Sequence, residues 1–114
     1  MVLRLIDRGF ALVADDQVII ENGIARPPDA LAGLLEVRGL GLFQMPYIAA
    51  AQLRLVVSLG QPPAERLPVA RSHDILGVPE IIIDAGSASA VARVVLAFEA
   101  ACGRVAQHVG AFAA

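Results

Sequence analysis

The stretch Leu12-Val13-Ala14-Asp15-Asp16 decides how this chain is read. Apolar residues from Phe10 to Ala14 predict a buried strand, and that strand stops on two adjacent carboxylates. Ligands of open α/β sheets gather at such strand ends, because loops there collect groups from several elements. Paired carboxylates repel each other and cost desolvation unless a cation, a proton or an Arg compensates them. The chemistry that uses this arrangement is a divalent metal with phosphates, or an acid/base pair. On these residues alone, a solvated Asp-Asp turn is the better reading.

Composition narrows the field. With 114 residues the chain is expected to form one domain, residues 1–114. Its formal charge of −2 and the lack of a basic cluster argue against a nucleic-acid partner. All nine basic residues are Arg, and no Lys occurs anywhere. A single Cys excludes an internal disulfide and fits a reducing compartment such as the cytoplasm. The hydrophobic fraction of 57% exceeds the usual soluble range of about 45–50%. Because no run approaches the roughly 20 apolar residues of a membrane span, no membrane partner is expected. The surplus points instead to a covered surface: an oligomer interface, or further chain belonging to the fold.

Outward from the opening stretch, Met1 to Arg8 has helical spacing, with Gly9 as its stop. The pattern starts in mid-stride without an N-cap, as the tail of a longer helix would. Gln17 to Glu21 predicts a second strand, and Asn22-Gly23 a hairpin returning through Ile24 to Arg26. After Pro27-Pro28 a short helix is expected over Asp29 to Leu35. In Leu34 to Gly41, Glu36 and Arg38 share a face if the chain is extended; the alternative is a helix end with a surface ion pair. Leu42 to Ala51 reads as irregular, Leu53 to Leu59 as a strand, and Gln61 to Asp74 as a long polar loop carrying Glu65, Arg66, Arg71 and His73. Glu80 to Asp84 predicts a strand. A final helix, capped by Ser87 or Ser89, places Val91, Val94, Val95, Phe98, Ala101, Cys102 and Val105 on one stripe, and after Gly103 a loose tail is expected.

Four stretches taken together resemble the catalytic domain of the HPr kinase/phosphorylase family, in its short proteobacterial form. They are L-I-D-R-G-F-A-L-V-A-D-D (Leu5 to Asp16), L-L-E-V-R-G-L-G (Leu34 to Gly41), E-R-L-P (Glu65 to Pro68) and L-G-V-P (Leu76 to Pro79). The E-V-R-G-L-G run after an Asp-Asp strand end is the specific part. The resemblance implies an α/β fold, a mixed sheet flanked by helices, of the P-loop kinase, phosphoenolpyruvate carboxykinase-like type. It also implies ATP- and Mg2+-dependent phosphorylation of a serine on HPr, the phosphocarrier of the sugar phosphotransferase system, with reversal by phosphorolysis. That activity regulates carbohydrate metabolism, in cytoplasmic homohexamers. Carried over residue by residue, Asp15 is the acid/base for the serine hydroxyl. Asp16 and Glu36 hold Mg2+. Arg38, Gly39 and Gly41 belong to the signature near the phosphates or the neighbouring subunit, and Arg66 is a loop Arg of phosphoryl transfer.

One departure is large. The family's G-x-x-x-x-G-K-[ST] loop precedes the helix that here begins at Met1, and no Lys is present to replace its ammonium. The element carrying the phosphate loop is therefore missing from these residues. The expectation is an incomplete chain, inactive alone, whose Met1 is internal to a longer protein. The rival expectation is a non-catalytic module that keeps the carboxylates by descent and binds a partner or its own kind. A metal-dependent hydrolase ranks last, for want of His or Cys ligands. His73 and His108 are given no role, Cys102 is expected in the core, and Arg54, Arg71, Arg93 and Arg104 are expected to face solvent.

Overall fold

A computed structural model describes residues 1–113 and resolves two compact units, Met1–Leu53 and Arg54 onward. The first begins with helix α1 (Val2–Asp7). It ends where Gly9 turns left-handed, with Gly9 N–H bonded to Ile6 C=O and Phe10 N–H to Leu5 C=O, at 3.0 and 3.1 Å. These two bonds satisfy carbonyls that a helix end otherwise leaves open.

Strand β1 (Ile19–Glu21) and strand β2 (Ile24–Arg26) form the hairpin expected at Asn22-Gly23, with Ile20 opposite Ala25. Asn22 takes φ 52° there, a conformation Asn tolerates better than most residues. Strand β3 (Leu34–Val37) pairs antiparallel with β4 (Gly41–Gln44), placing Leu35 opposite Phe43 and Glu36 opposite Leu42. Strand β5 (Ala51–Gln52) adds to the free side of β2. Leu12 and Leu35, 5% and 3% exposed, are the buried apolar centre of this unit.

The second unit pairs β6 (Val56–Leu59) with β7 (Glu80–Ile83) in parallel, Val57 opposite Ile81. Helix α2 (Ala90–Ala101) lies against β7 and buries Ala90, Val94 and Ala97 beside Ile83. A parallel pair needs a long connection. Here the connection runs from Gly60 to Pro79 and carries its own bridge, Ser72 to Pro79.

Several sequence expectations are corrected. Phe10 to Ala14 is not a strand: only Leu12 makes a bridge, to Tyr47, with Ile48 N–H on Leu12 C=O at 2.7 Å. Apolar character buries Leu12, but no neighbouring ladder extends the pairing. The helix expected over Asp29 to Leu35 is one 3-10 turn, Asp29–Leu31. Gly33, at φ 76°, then swings the chain into β3. Leu42 to Ala51 is not irregular throughout, since β4 and β5 overlap its two ends; their order comes from partners distant in sequence. The strand at Leu53 to Leu59 is shorter, starting at Val56. Strands are shared among three small sheets rather than one mixed sheet. Val105 lies beyond α2 and is 40% exposed, so it leaves the predicted stripe. The tail past Gly103 is tied by Phe112 N–H on the Gln107 side chain at 2.6 Å. Much of the apolar surplus is exposed, with Leu40, Leu42 and Phe43 on the β3–β4 hairpin and Val69 and Ile75 on the long connection.

Candidate active site

Two segments of the first unit meet at the candidate site. Leaving buried Leu12, the chain reaches Asp15 and Asp16, both exposed. Beside them runs β3, whose alternation puts Leu35 inward and Glu36 outward. The backbone N–H of Glu36 donates to Asp15 Oδ2 at 3.0 Å. This bond orients one carboxylate and satisfies an edge donor of β3, leaving Asp15 Oδ1 available to a ligand. Arg38 lines the same cleft from the turn that follows β3, not from extended chain.

Asp15, Asp16, Glu36 and Arg38 together line a cleft of about 310 Å³. Three carboxylates and one guanidinium make it a net anionic surface. Repulsion between solvent-exposed carboxylates a few ångströms apart is of the order of 1 kcal/mol per pair. Such a cleft therefore favours a cation, and the cation's class follows from the donors. Carboxylate oxygens are hard ligands suited to Mg2+, which takes one or two of them and completes its shell with water and phosphate oxygens. Among the described residues no three His, Cys, Asp or Glu side chains form a group that could hold a metal ion, Asp15, Asp16 and Glu36 included. Asp15, Asp16 and Glu36 thus share one cleft without composing a three-carboxylate metal site.

Gly39 lies with Arg38 in the turn closed by Leu40 N–H on Val37 C=O at 2.9 Å, and Gly41 opens β4. The two glycines carry the chain from β3 to β4, with φ 84° and 129°. Arg66 belongs to the second unit. It lines a cavity of about 210 Å³ there, together with Glu65, Arg71, Glu80 and Arg93. Arg71 and Arg93, expected as solvent-facing charges, are exposed and also border this cavity. The available signal was the position of Arg93 in the first turn of a helix that follows a strand. Arg71 carried no comparable signal, because its place depends on the bridge that folds the long connection back to β7.

Comparisons with known proteins point to one family. HPr kinase/phosphorylase of Variovorax paradoxus (strain S110) is 41% identical over 95 residues, covering 68% of this chain and 30% of the relative. The homologue of the same name from Burkholderia cenocepacia (strain HI2424) is 40% identical over 93 residues, covering 68% of this chain and 29% of its own. Its curated homologues are HPr kinase/phosphorylases. The HPr(Ser) kinase/phosphatase structure from Coxiella burnetii superposes with a TM-score of 0.64 at 27% identity, covering 84% of this chain and 70% of that one. The chain spans about 30% of the length of the curated HPr kinase/phosphorylases it matches. No family model matches it. Among the described residues no helix is long and apolar enough to cross a membrane.

Proposed function

We propose that this chain carries the acid/base and metal-holding half of an HPr serine kinase/phosphorylase site. The observation that carries the reading is the cleft where Asp15, Asp16, Glu36 and Arg38 meet, with Asp15 oriented by the Glu36 backbone. Phosphoryl transfer needs little covalent chemistry from the protein; positioning and charge neutralisation dominate. Asp15, with one oxygen free, accepts the proton of the attacking serine hydroxyl of HPr and returns it in the reverse reaction. Asp16 and Glu36 hold Mg2+ through hard oxygen donors. Arg38 offsets their charge and, with Gly39 and Gly41, shapes the rim near the phosphates. Arg66 supplies a guanidinium for the charge that develops on the transferred group. When bound, Mg2+–ATP supplies the phosphoryl group and the cation that neutralises its oxygens.

Nothing in these 114 residues supplies a phosphate-loop ammonium, since the sequence has no Lys. The P-loop kinase fold of phosphoenolpyruvate carboxykinase-like type is accordingly completed by residues outside them, and the working form is a cytoplasmic homo-oligomer. Purified chain incubated with ATP, Mg2+ and HPr should yield little or no phosphoserine by mass spectrometry. The same sequence joined to a segment bearing G-x-x-x-x-G-K-[ST] should transfer phosphate. Robust transfer by the 114 residues alone would refute the division of labour; a joined protein that folds but stays inactive would refute the kinase reading.

A further inference from the structure

The cavity in the second unit has the opposite electrical character to the Asp15 cleft. Three guanidinium groups, Arg66, Arg71 and Arg93, border it against two carboxylates, Glu65 and Glu80. One of those carboxylates is already engaged. Glu80 accepts the Ser58 hydroxyl at 2.9 Å, and its other oxygen lies 3.9 Å from Arg71. At that separation Arg71 keeps most of its donors free. The Nε of Arg93 donates to Ser89 Oγ at 2.8 Å, which steers the side chain and leaves its two terminal nitrogens unused by that bond. Among the described residues Arg66 has no hydrogen-bond or ion-pair partner.

Each arginine is also placed by backbone structure. Arg71 is set beside the start of β7 by Glu80 N–H on its carbonyl, at 3.0 Å. Arg93 follows from the first turn of α2, and Arg66 stands on a segment bounded by Pro63 and Pro68. The floor is apolar, with Ile81 of β7 lining it. Guanidinium forks match the oxygens of phosphate in pairs, which a lone ammonium does not. A volume of about 210 Å³ lies below the roughly 300–1,000 Å³ of pockets for drug-sized ligands, so the occupant is small.

We infer that Arg71 and Arg93 join Arg66 in binding a phosphate-class dianion in this cavity, as a phosphorylated side chain or as free phosphate. The inference deepens the kinase/phosphorylase reading, on which the role of Arg66 rests. It adds two binding residues that the sequence did not single out.

The test is titration of the 114-residue chain, followed by amide NMR, with inorganic phosphate and separately with a phosphoserine peptide, against chloride at matched ionic strength. Saturable shifts at Arg71, Ile81 and Arg93 are expected with at least one phosphate probe, and which probe saturates first tells free phosphate from the monoester. Arg71→Gln and Arg93→Gln should each weaken binding by about fivefold, the effect of an exposed charge contact worth about 1 kcal/mol. Arg93→Lys should recover part of that loss, and circular dichroism should show each variant folded. Shifts reproduced by chloride, or by the unphosphorylated peptide, would overturn the inference. So would Gln variants that bind phosphate as wild type does. If Arg66→Gln abolishes binding while the other two leave it intact, the added roles fall and the reading of Arg66 survives. Failure of the transfer assay with the joined protein, with phosphate binding retained, would remove the kinase reading and leave the cavity standing.

Discussion

Asp15 and Glu36, 21 positions apart, are joined by a bond from a backbone N–H to a carboxylate oxygen at 3.0 Å. One side chain thereby has two tasks: it closes the edge of β3 and presents a second oxygen to the cleft. The tasks separate by substitution. Asp15→Asn keeps an acceptor for Glu36 N–H but cannot take up a proton at neutral pH, so it should fold normally. In a protein with its phosphate loop present, it should lose about 10²–10⁴-fold in transfer, the range of general-base contributions. Asp15→Ala should in addition lower stability by about 1 kcal/mol, because an edge donor loses its partner. Steady-state kinetics and urea melts on both variants check this.

Gly33 offers a sharper stability test. Its φ of 76° is open mainly to Gly, and a Cβ there would lie 2.8 Å from Met45 C=O and 2.9 Å from a ring carbon of Tyr47. The backbone carbonyl cannot move away cheaply, since Met45 N–H is itself bonded to Gly33 C=O at 2.7 Å. Gly33→Ala should cost about 1–3 kcal/mol from strain at this backbone angle, with the crowding in addition. Chemical denaturation measures it, and an unchanged midpoint would contradict the close approach.

His73 is a loop-shaping residue. Its Nδ1 accepts the N–H groups of Ile75 and Leu76 at 3.2 and 3.0 Å, which assigns the ring proton to Nε2. His73→Ala should accelerate hydrogen exchange at those two amides well beyond that of amides in β7. His73→Asn, with a side-chain acceptor of similar reach, should restore part of the protection.

The end of α2 gives a pH prediction. Hydrogen bonding from Arg104 is the main cause holding the Glu99 carboxyl below its ordinary range, against the opposing effect of burial and with help from the charge of Arg104. A carboxyl whose folded pKa is depressed stabilises the fold above its unfolded pKa and loses that effect as pH falls through the folded value. Glu99→Gln should therefore lower the melting temperature most at neutral pH. The gap to wild type should narrow through the glutamate range, near pH 4.3 and below. A gap that stays constant down to about pH 3 would show that the ion pair does not carry it.

Local chemistry made some of this structure legible in the sequence. Asn22-Gly23 specifies its hairpin because few dipeptides accept that backbone, and Gly9 ends α1 for a related reason. Val91 to Ala101 declares a helix through its repeat, and the order of motifs singled out Asp15, Asp16 and Glu36, which line one cleft. What stayed hidden depends on distant partners. Leu42 and Phe43 become a strand only because β3 lies alongside them, and Phe10 to Ala14 fails to become one because only Tyr47 bridges it. The cavity beside β7 was hidden likewise, since Arg66, Arg71 and Arg93 converge only once the long connection has folded back. Periodicity detects a face; it does not report which face another segment will meet.

The parallel pairing of Val56–Leu59 with Glu80–Ile83 has a kinetic corollary. Its first bonds form only after the chain has made an excursion from Gly60 to Pro79 and come back, and closing such a circuit sacrifices freedom before any contact compensates it. The second unit should accordingly assemble late and at a tempo set by that detour. Shortening the excursion while keeping both strands should quicken refolding far more than it raises the melting point.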